Sequence, residues 1–411
     1  MAVEAGQPQQ KLGGWTVVTV ILMIPDTTIS RVRVVCQGDS LEMGLAQGMA
    51  LKQNIHATYE MLRDLEAFRL KQPWYLPFPL FRRIAAKRAH QTVMPAVEVA
   101  CPTARQRLVG ISRGSGLKES GLWLLNAMEG LLASVRENTD IPAPAGCSAV
   151  AIRGRMSHAG EPVIAHNFDY LPLVQPHYMI RESRPKQGYR SLEFTVAPLA
   201  GAIDGVNEKG LAVTYNYAYT IDDAGPGPTL SMLIAEVLAR FERVSDAIEW
   251  LTSQPRWGSG LLMFSDRQGD IASLEITNTR HEVRRPEPGE DFLFHANKFR
   301  CKSTVEVEVP VEAIYNARAP KPLRGQRVLD SSLQRMKRFE ELLPGSERLN
   351  LEQLTSVMAD HGNDRHPSDK TICKHSDYWA TTACLQYLPS EAAIRVSYSS
   401  ACRARYVEYS L

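Results

Sequence analysis

A layered α+β fold is the architecture this sequence predicts, and three observations point to it. Helical patterning dominates up to residue 136, strand-like runs dominate from residue 147, and helical patterns at 229–253 and 328–343 fall between those runs. The change of character comes at a proline-rich stretch, residues 137–146. At 411 residues the chain can bury a large core. Neither half patterns as a unit able to stand alone. One composite domain over 27–411 is therefore expected, after a disordered or dispensable leader at 1–26.

The elements follow in order. The apolar run from Trp15 to Ile24 is too short to span a bilayer. It also lacks the cationic start and small-residue cleavage site of a signal peptide. Residues 27–38 alternate as a strand, and Asp39-Ser40 caps a helical stretch reaching about residue 70. Trp74 to Phe81 is an aromatic, proline-broken connector, and helices follow at 90–114 and 118–136. Strands are expected at 147–153, 163–170, 191–196, 211–217, 261–266, 270–276, 280–285, 382–388, 393–399 and 404–410. Asp266–Gly269 closes a hairpin, and Asn207 with Gly210 makes a β-turn.

Composition narrows the function classes. The chain is 44% hydrophobic and 22% charged with net charge +2, and it has no basic block. Neither nucleic acid nor a membrane is expected as a partner. Seven scattered cysteines without a Cys-x-x-Cys argue against a disulfide framework and a structural zinc, and for reduced thiols in a cytoplasm. His295, His361, His366 and His375 fit no zinc spacing, and Cys373 and Cys402 read as packed thiols, so no metal is expected.

The chemistry concentrates at Gly146–Cys147, where the stiff stretch meets a strand. Arg153 to Pro162 is polar and rich in turn residues. Pairing residue 153 with 163 across it sets Cys147 opposite Asp169, so the carboxylate could hold an amine beside the thiol. A freed Cys147 α-amino group would titrate near neutrality, at about 7.7–8.0, and serve as base for its own thiol. Gly146 would give the thiol access to its carbonyl.

Gly-Cys-Ser (146–148) followed by His-Asn-Phe-Asp (166–169) resembles elements of the isopenicillin N acyltransferase family of N-terminal-nucleophile enzymes. The likeness continues through Gly38 to Gly48, Asp204 to Tyr217, Phe294 to Phe299, Ser332 to Arg335 and Ile372 to His375. It implies a four-layer α-β-β-α sandwich cleaved at Gly146–Cys147 into chains 1–146 and 147–411, which stay together as a heterodimer. It further implies Cys147 as nucleophile, Asp169 as amine holder, Asn216 and Asn297 as oxyanion donors, and Arg335 as the cation near the thiol. His166 stands where bile salt hydrolases carry arginine, a position that would tune the substrate. The expected activity is hydrolysis of a linear amide, or acyl transfer, through an acyl-cysteine. The substrate is a small amide or thioester, with no cofactor and acyl-coenzyme A admitted as a co-substrate. Two alternatives stay open: an uncleaved Cys147–His295–Asn297 hydrolase, and a non-catalytic sandwich that binds a small molecule.

Overall fold

In the computed structural model, residues 11–12, 15–16, 33–133, 146–343, 348–363 and 366–411 are described. Most of the expected leader, residues 27–32 and the stretch 137–145 lie outside them. Two sheets form the centre. In chain order their strands are β1 (Arg33–Gly38), β2 (Ser148–Ile152), β3 (Val163–Tyr170), β4 (Tyr178–Pro185), β5 (Ser191–Val196), β6 (Asp204–Asn207) and β7 (Ala212–Tyr217). After them come β8 (Gly260–Ser265), β9 (Ile271–Ile276), β10 (His281–Arg284), β11 (Phe292–His295), β12 (Ala380–Leu388), β13 (Ala393–Ser397) and β14 (Val407–Ser410). The eight-stranded sheet runs β10-β9-β8-β7-β6-β5-β4-β1, and the six-stranded sheet runs β11-β2-β3-β12-β13-β14.

The helices are α1 (Ser40–Ala50), α2 (Lys52–Met61), α3 (Glu66–Arg69), α4 (Phe78–Ala100), α5 (Pro102–Ser115), α6 (Glu119–Asn126), α7 (Met128–Ala133), α8 (Leu230–Arg240), α9 (Val244–Ser253), α10 (Lys302–Val305), α11 (Asp330–Leu342) and α12 (Leu351–Met358). The two sheets pack face to face; α1, α8 and α9 lie on the larger one, and α11 and α12 on the smaller. The result is a four-layer α-β-β-α sandwich. With cover on both faces, β2 is buried at every position and β3 at all but its last, so neither strand alternates polar with apolar.

Both sides of residue 146 feed one core. Val34, Leu108 and Trp123 share a buried cluster with Cys147, Phe168 and Leu262. A second cluster, with Val150, Phe339, Leu354 and Ile372, lies beneath α11 and α12. The N-terminal region also supplies β1, which pairs in parallel with β4. Behind that strand, α1 and α5 approach backbone to backbone. A Cβ on Gly44 would stand 2.1 Å from Arg107 O, and one on Gly110 2.2 Å from Leu41 O.

Asp39 does cap α1, and it forms a capping box with Glu42. The single helical stretch to residue 70 is instead three helices, with breaks at Leu51 and between Leu62 and Leu65. The connector expected at 74–81 ends early, because Pro77 and Pro79 start α4 at Phe78, where a missing amide proton costs nothing. The turn at 207–210 is present: Asn207 Oδ1 accepts from the amides of Lys209 and Leu211, and Gly210 has φ of +87°. Strands β4, β6 and β11 and helices α10 and α12 are additional to those read from the sequence. In β4 the disguise is a buried ion pair, Arg181 Nε to Glu193 Oε2 at 2.5 Å, completed by Gln47 Oε1 and the carbonyls of Leu199 and Gly201.

Candidate active site

The β2–β3 hairpin places Gly146 and Cys147 at the head of the inner sheet. Its register differs from the expected one by a single residue. Ile152 pairs with Val163 and Ser148 with Asn167, and the Gly146 amide donates to Asp169 O at 3.0 Å. Asp169 therefore stands opposite Gly146, not Cys147. The ten-residue turn holds a short 3₁₀ segment at Gly154–Met156, and a turn of that length does not specify pairing. One step of register also moves a side chain to the other face.

Asp169 is fully buried. Its Oδ1 accepts from Thr381 Oγ1 at 2.7 Å, while Oδ2 has no hydrogen-bond partner and lies 3.8 Å from Arg335 Nη1. Burial pushes its carboxyl up to about 6, against the opposing pull of Arg335 and Lys374. Arg335, on α11, reaches through the layer to this point. Its Nη1 donates to Cys147 O at 2.5 Å and to Ser148 Oγ at 2.8 Å, and its Nη2 to Asn297 Oδ1 at 2.9 Å. The guanidinium thus holds the main chain of the cysteine and the amide of Asn297.

The two asparagines form a reciprocal clasp between the end of β7 and the segment after β11. Asn216 Nδ2 donates to Ala296 O at 3.1 Å, and Asn297 Nδ2 to Tyr217 O at 2.8 Å. Each bond uses one of the two N–H groups on its amide nitrogen. Asn216 Oδ1 is buried without a partner.

The thiol faces the space between the sheets, where Cys147 belongs to the same cluster as Phe168. Burial pushes its pKa up, and His166 is the largest counterweight. Burial decides the direction, and Arg335 acts on the main chain of the cysteine rather than on its thiol. His166, on β3, is buried and bonds Asp204 Oδ2 through Nδ1 at 2.5 Å, while Nε2 has no hydrogen-bond partner. Burial opposes its charge, but the Asp204 carboxylate and the neighbouring Cys147 raise it to about 10. The side chain expected to tune a substrate is thus a buried cation paired with Asp204 beside the thiol. His295 is turned elsewhere: Nδ1 meets Ser273 Oγ at 2.9 Å, and burial with Arg284 nearby keeps the ring well below its usual pKa.

Two participants were not read from the sequence as site residues, although both lie in segments that carry the resemblance. One is Asp204. The other is Lys374, whose burial, with Arg335 nearby, lowers its amine to about 8. A Cβ on Gly146 would come 2.7 Å from Lys374 Nζ, so a side chain there would displace the Lys374 ammonium. A cavity of about 90 Å³ lies between α7 and the sheets, lined by Glu129, Phe168, Tyr170, Ile203, Tyr215 and Tyr217. Burial pushes the Glu129 carboxyl up to about 7. Trp74 and Tyr75, in the connector before α4, are 95% and 69% exposed and line no part of this cavity.

The profile of the acyl-coenzyme A:6-aminopenicillanic acid acyl-transferase family matches residues 156–401, more than half of the chain. The chain belongs to that family. The match takes in Asp169, Asn216, Asn297 and Arg335 and begins beyond Cys147. Among curated proteins none matches the sequence. Three solved structures are similar to this acyl-transferase family member, each over 64% of this chain. They are a Caenorhabditis elegans ortholog of N-acylethanolamine-hydrolyzing acid amidase (13% identity, 100% of that chain, TM-score 0.41), penicillin V acylase from Agrobacterium tumefaciens (14%, 86%, 0.39) and the C2A mutant of conjugated bile acid hydrolase from Clostridium perfringens (13%, 92%, 0.38). Among the described residues, no helix is long and apolar enough to cross a membrane.

Proposed function

We propose that this chain is a self-processing cysteine amidohydrolase or acyltransferase that cleaves Gly146–Cys147 and then acts through an acyl-Cys147. One observation carries the reading. Arg335 binds the Cys147 carbonyl and Asn297 at once, and the unpartnered Oδ2 of Asp169 lies 3.8 Å away. A buried carboxylate oxygen without a partner costs about 1–3 kcal/mol. An ammonium formed at Cys147 would satisfy it.

In the intact chain the Cys147 nitrogen is an amide and cannot act as a base. The His166 cation, held at Nδ1 by Asp204, instead stabilises the thiolate for the first step. The thiolate attacks the Gly146 carbonyl, the C–N bond breaks, and the proton passes to the departing nitrogen. Water then cleaves the thioester, leaving a Gly146 carboxylate and a free Cys147 amine. Thereafter the amine activates the thiol, Asp169 holds the amine, and the second N–H of Asn216 or Asn297 stabilises the oxyanion. Water or an amine resolves the acyl-enzyme. The aromatic cavity favours a compact apolar acyl chain.

A second reading has its own support: the His166–Asp204 pair beside Cys147 could serve an uncleaved cysteine hydrolase. Adduct mapping separates the two. Incubation with a panel of N-acyl amides and acyl thioesters should add the acyl mass to a fragment beginning Cys-Ser-Ala-Val. The same adduct on a full-length chain supports the second reading, and no adduct with any of them defeats both.

A further inference from the structure

The structure gathers four side chains that the sequence leaves far apart. His361 follows α12, Cys373 and His375 flank Lys374 ahead of β12, and Cys402 sits between β13 and β14. His361 Nε2 lies 3.3 Å from His375 Nε2, and the sulfurs of Cys373 and Cys402 lie 3.4 and 3.5 Å from that same nitrogen. All four donor atoms fall within 4.8 Å of one another.

Hydrogen bonding does not account for this arrangement. A neutral imidazole nitrogen carries either one proton or one lone pair, so His375 Nε2 can serve one of its three neighbours. A tetrahedral ion serves them all. With metal–nitrogen bonds near 2.0–2.1 Å and metal–sulfur bonds near 2.3 Å, tetrahedral edges come to about 3.3–3.4 Å between nitrogens and about 3.5–3.6 Å from nitrogen to sulfur. The three distances from His375 match that figure to within about 0.2 Å.

We propose that His361, Cys373, His375 and Cys402 bind one structural zinc ion. Two thiolates and two imidazoles in a tetrahedron are a zinc donor set, and two thiolates neutralise the ion's charge. With four protein donors the site is closed and offers no position to a substrate. Its supports are in place. The Cys373 amide donates to Asp360 O at 3.2 Å, and the Asp360 carboxylate is gripped by Arg338 at 2.8 and 2.9 Å. The His375 amide donates to Ser368 O at 2.9 Å, and Ser400 Oγ lies 3.5 Å from Cys402 Sγ. The ion ties the end of α12, the segment before β12 and the C-terminal strands together. Lys374 sits between two ligands, so the same ion fixes the residue that faces Gly146. The proposal does not depend on self-cleavage.

The test is zinc content of the full chain, purified without chelators or metal-affinity resin and then offered Zn²⁺. The expected content is about one zinc per chain, falling at least about tenfold in Cys402→Ser and in His361→Ala. Cys402 is exposed, so its serine variant should keep the fold, and far-UV circular dichroism checks this. Co²⁺ in place of zinc should give the charge-transfer absorption of a thiolate-ligated tetrahedral ion, lost in the same variants. Substoichiometric zinc after reconstitution, undiminished zinc in folded Cys402→Ser, or a Cys373–Cys402 disulfide in the isolated protein would each overturn the assignment.

Discussion

Asp169 and His166 titrate in ways that set the pH behaviour of the site. The Asp169 carboxyl, raised to about 6 by burial, is charged above that pH and neutral below it. The charge that holds the Cys147 amine is therefore lost as pH falls through about 6, and turnover should fall with it. His166, held up to about 10 by Asp204 against its burial, keeps its charge through pH 7 to 9. Turnover measured across pH 5 to 9 should rise near 6 as Asp169 ionises and again near about 8 as the freed Cys147 amine loses its proton; no step near 6 would contradict the Asp169 assignment. His166→Gln removes the cation beside the thiol and should slow processing about 10²-fold or more, while His166→Arg, which keeps a charge there, should be slowed less. Gly146→Ala pushes its new methyl into Lys374 Nζ and should slow processing in a chain that still folds. Residue identities at this site were legible in the sequence; their contacts were only partly so. Asp204 and Lys374 read as ordinary strand and loop residues until folding sets them beside His166 and Gly146. His361, Cys373, His375 and Cys402 form no signature because their spacing is set by the path of the chain around the smaller sheet.

At the scale of elements, the α1–α5 contact gives a direct stability test. Gly110→Ala inserts a methyl 2.2 Å from Leu41 O, against backbone that cannot move away without shifting a helix. A loss of about 1–3 kcal/mol is expected, read as a lower denaturant midpoint with unchanged slope. An unchanged midpoint would mean that the helices separate at little cost. Asp39→Ala should cost about 1 kcal/mol through the lost cap. Eleven strands and most helices carried a readable pattern, because β-branched runs and caps act locally. Other features depend on partners distant in sequence. Strand β4 carries Arg181 and Glu182 at buried positions, which suit a strand only once Glu193, Gln47 and Arg33 neutralise or bond them. The β2–β3 register follows from how a ten-residue turn folds, so residue patterning missed it by one position.

For the whole molecule, the composite core decides what cleavage can do. Residues before and after position 146 share one buried cluster, and β1 pairs with β4 across the cut. Fragments 1–146 and 147–411 should elute as one species in native buffer and separate only in denaturant. Elution as two independent folded bodies would contradict the shared core. The layered fold was legible because helices and strands segregate along the chain and β2 reads as a nearly continuous apolar run. The face on which α11 delivers Arg335 was not, since only the stacking of the layers determines it. Intact mass of the purified protein under denaturing conditions tests the central claim most directly. The 45.8 kDa chain should give fragments of about 16 and 30 kDa, the larger beginning Cys-Ser-Ala-Val, while Cys147→Ala stays whole. A single 45.8 kDa chain that turns over amides normally would contradict it.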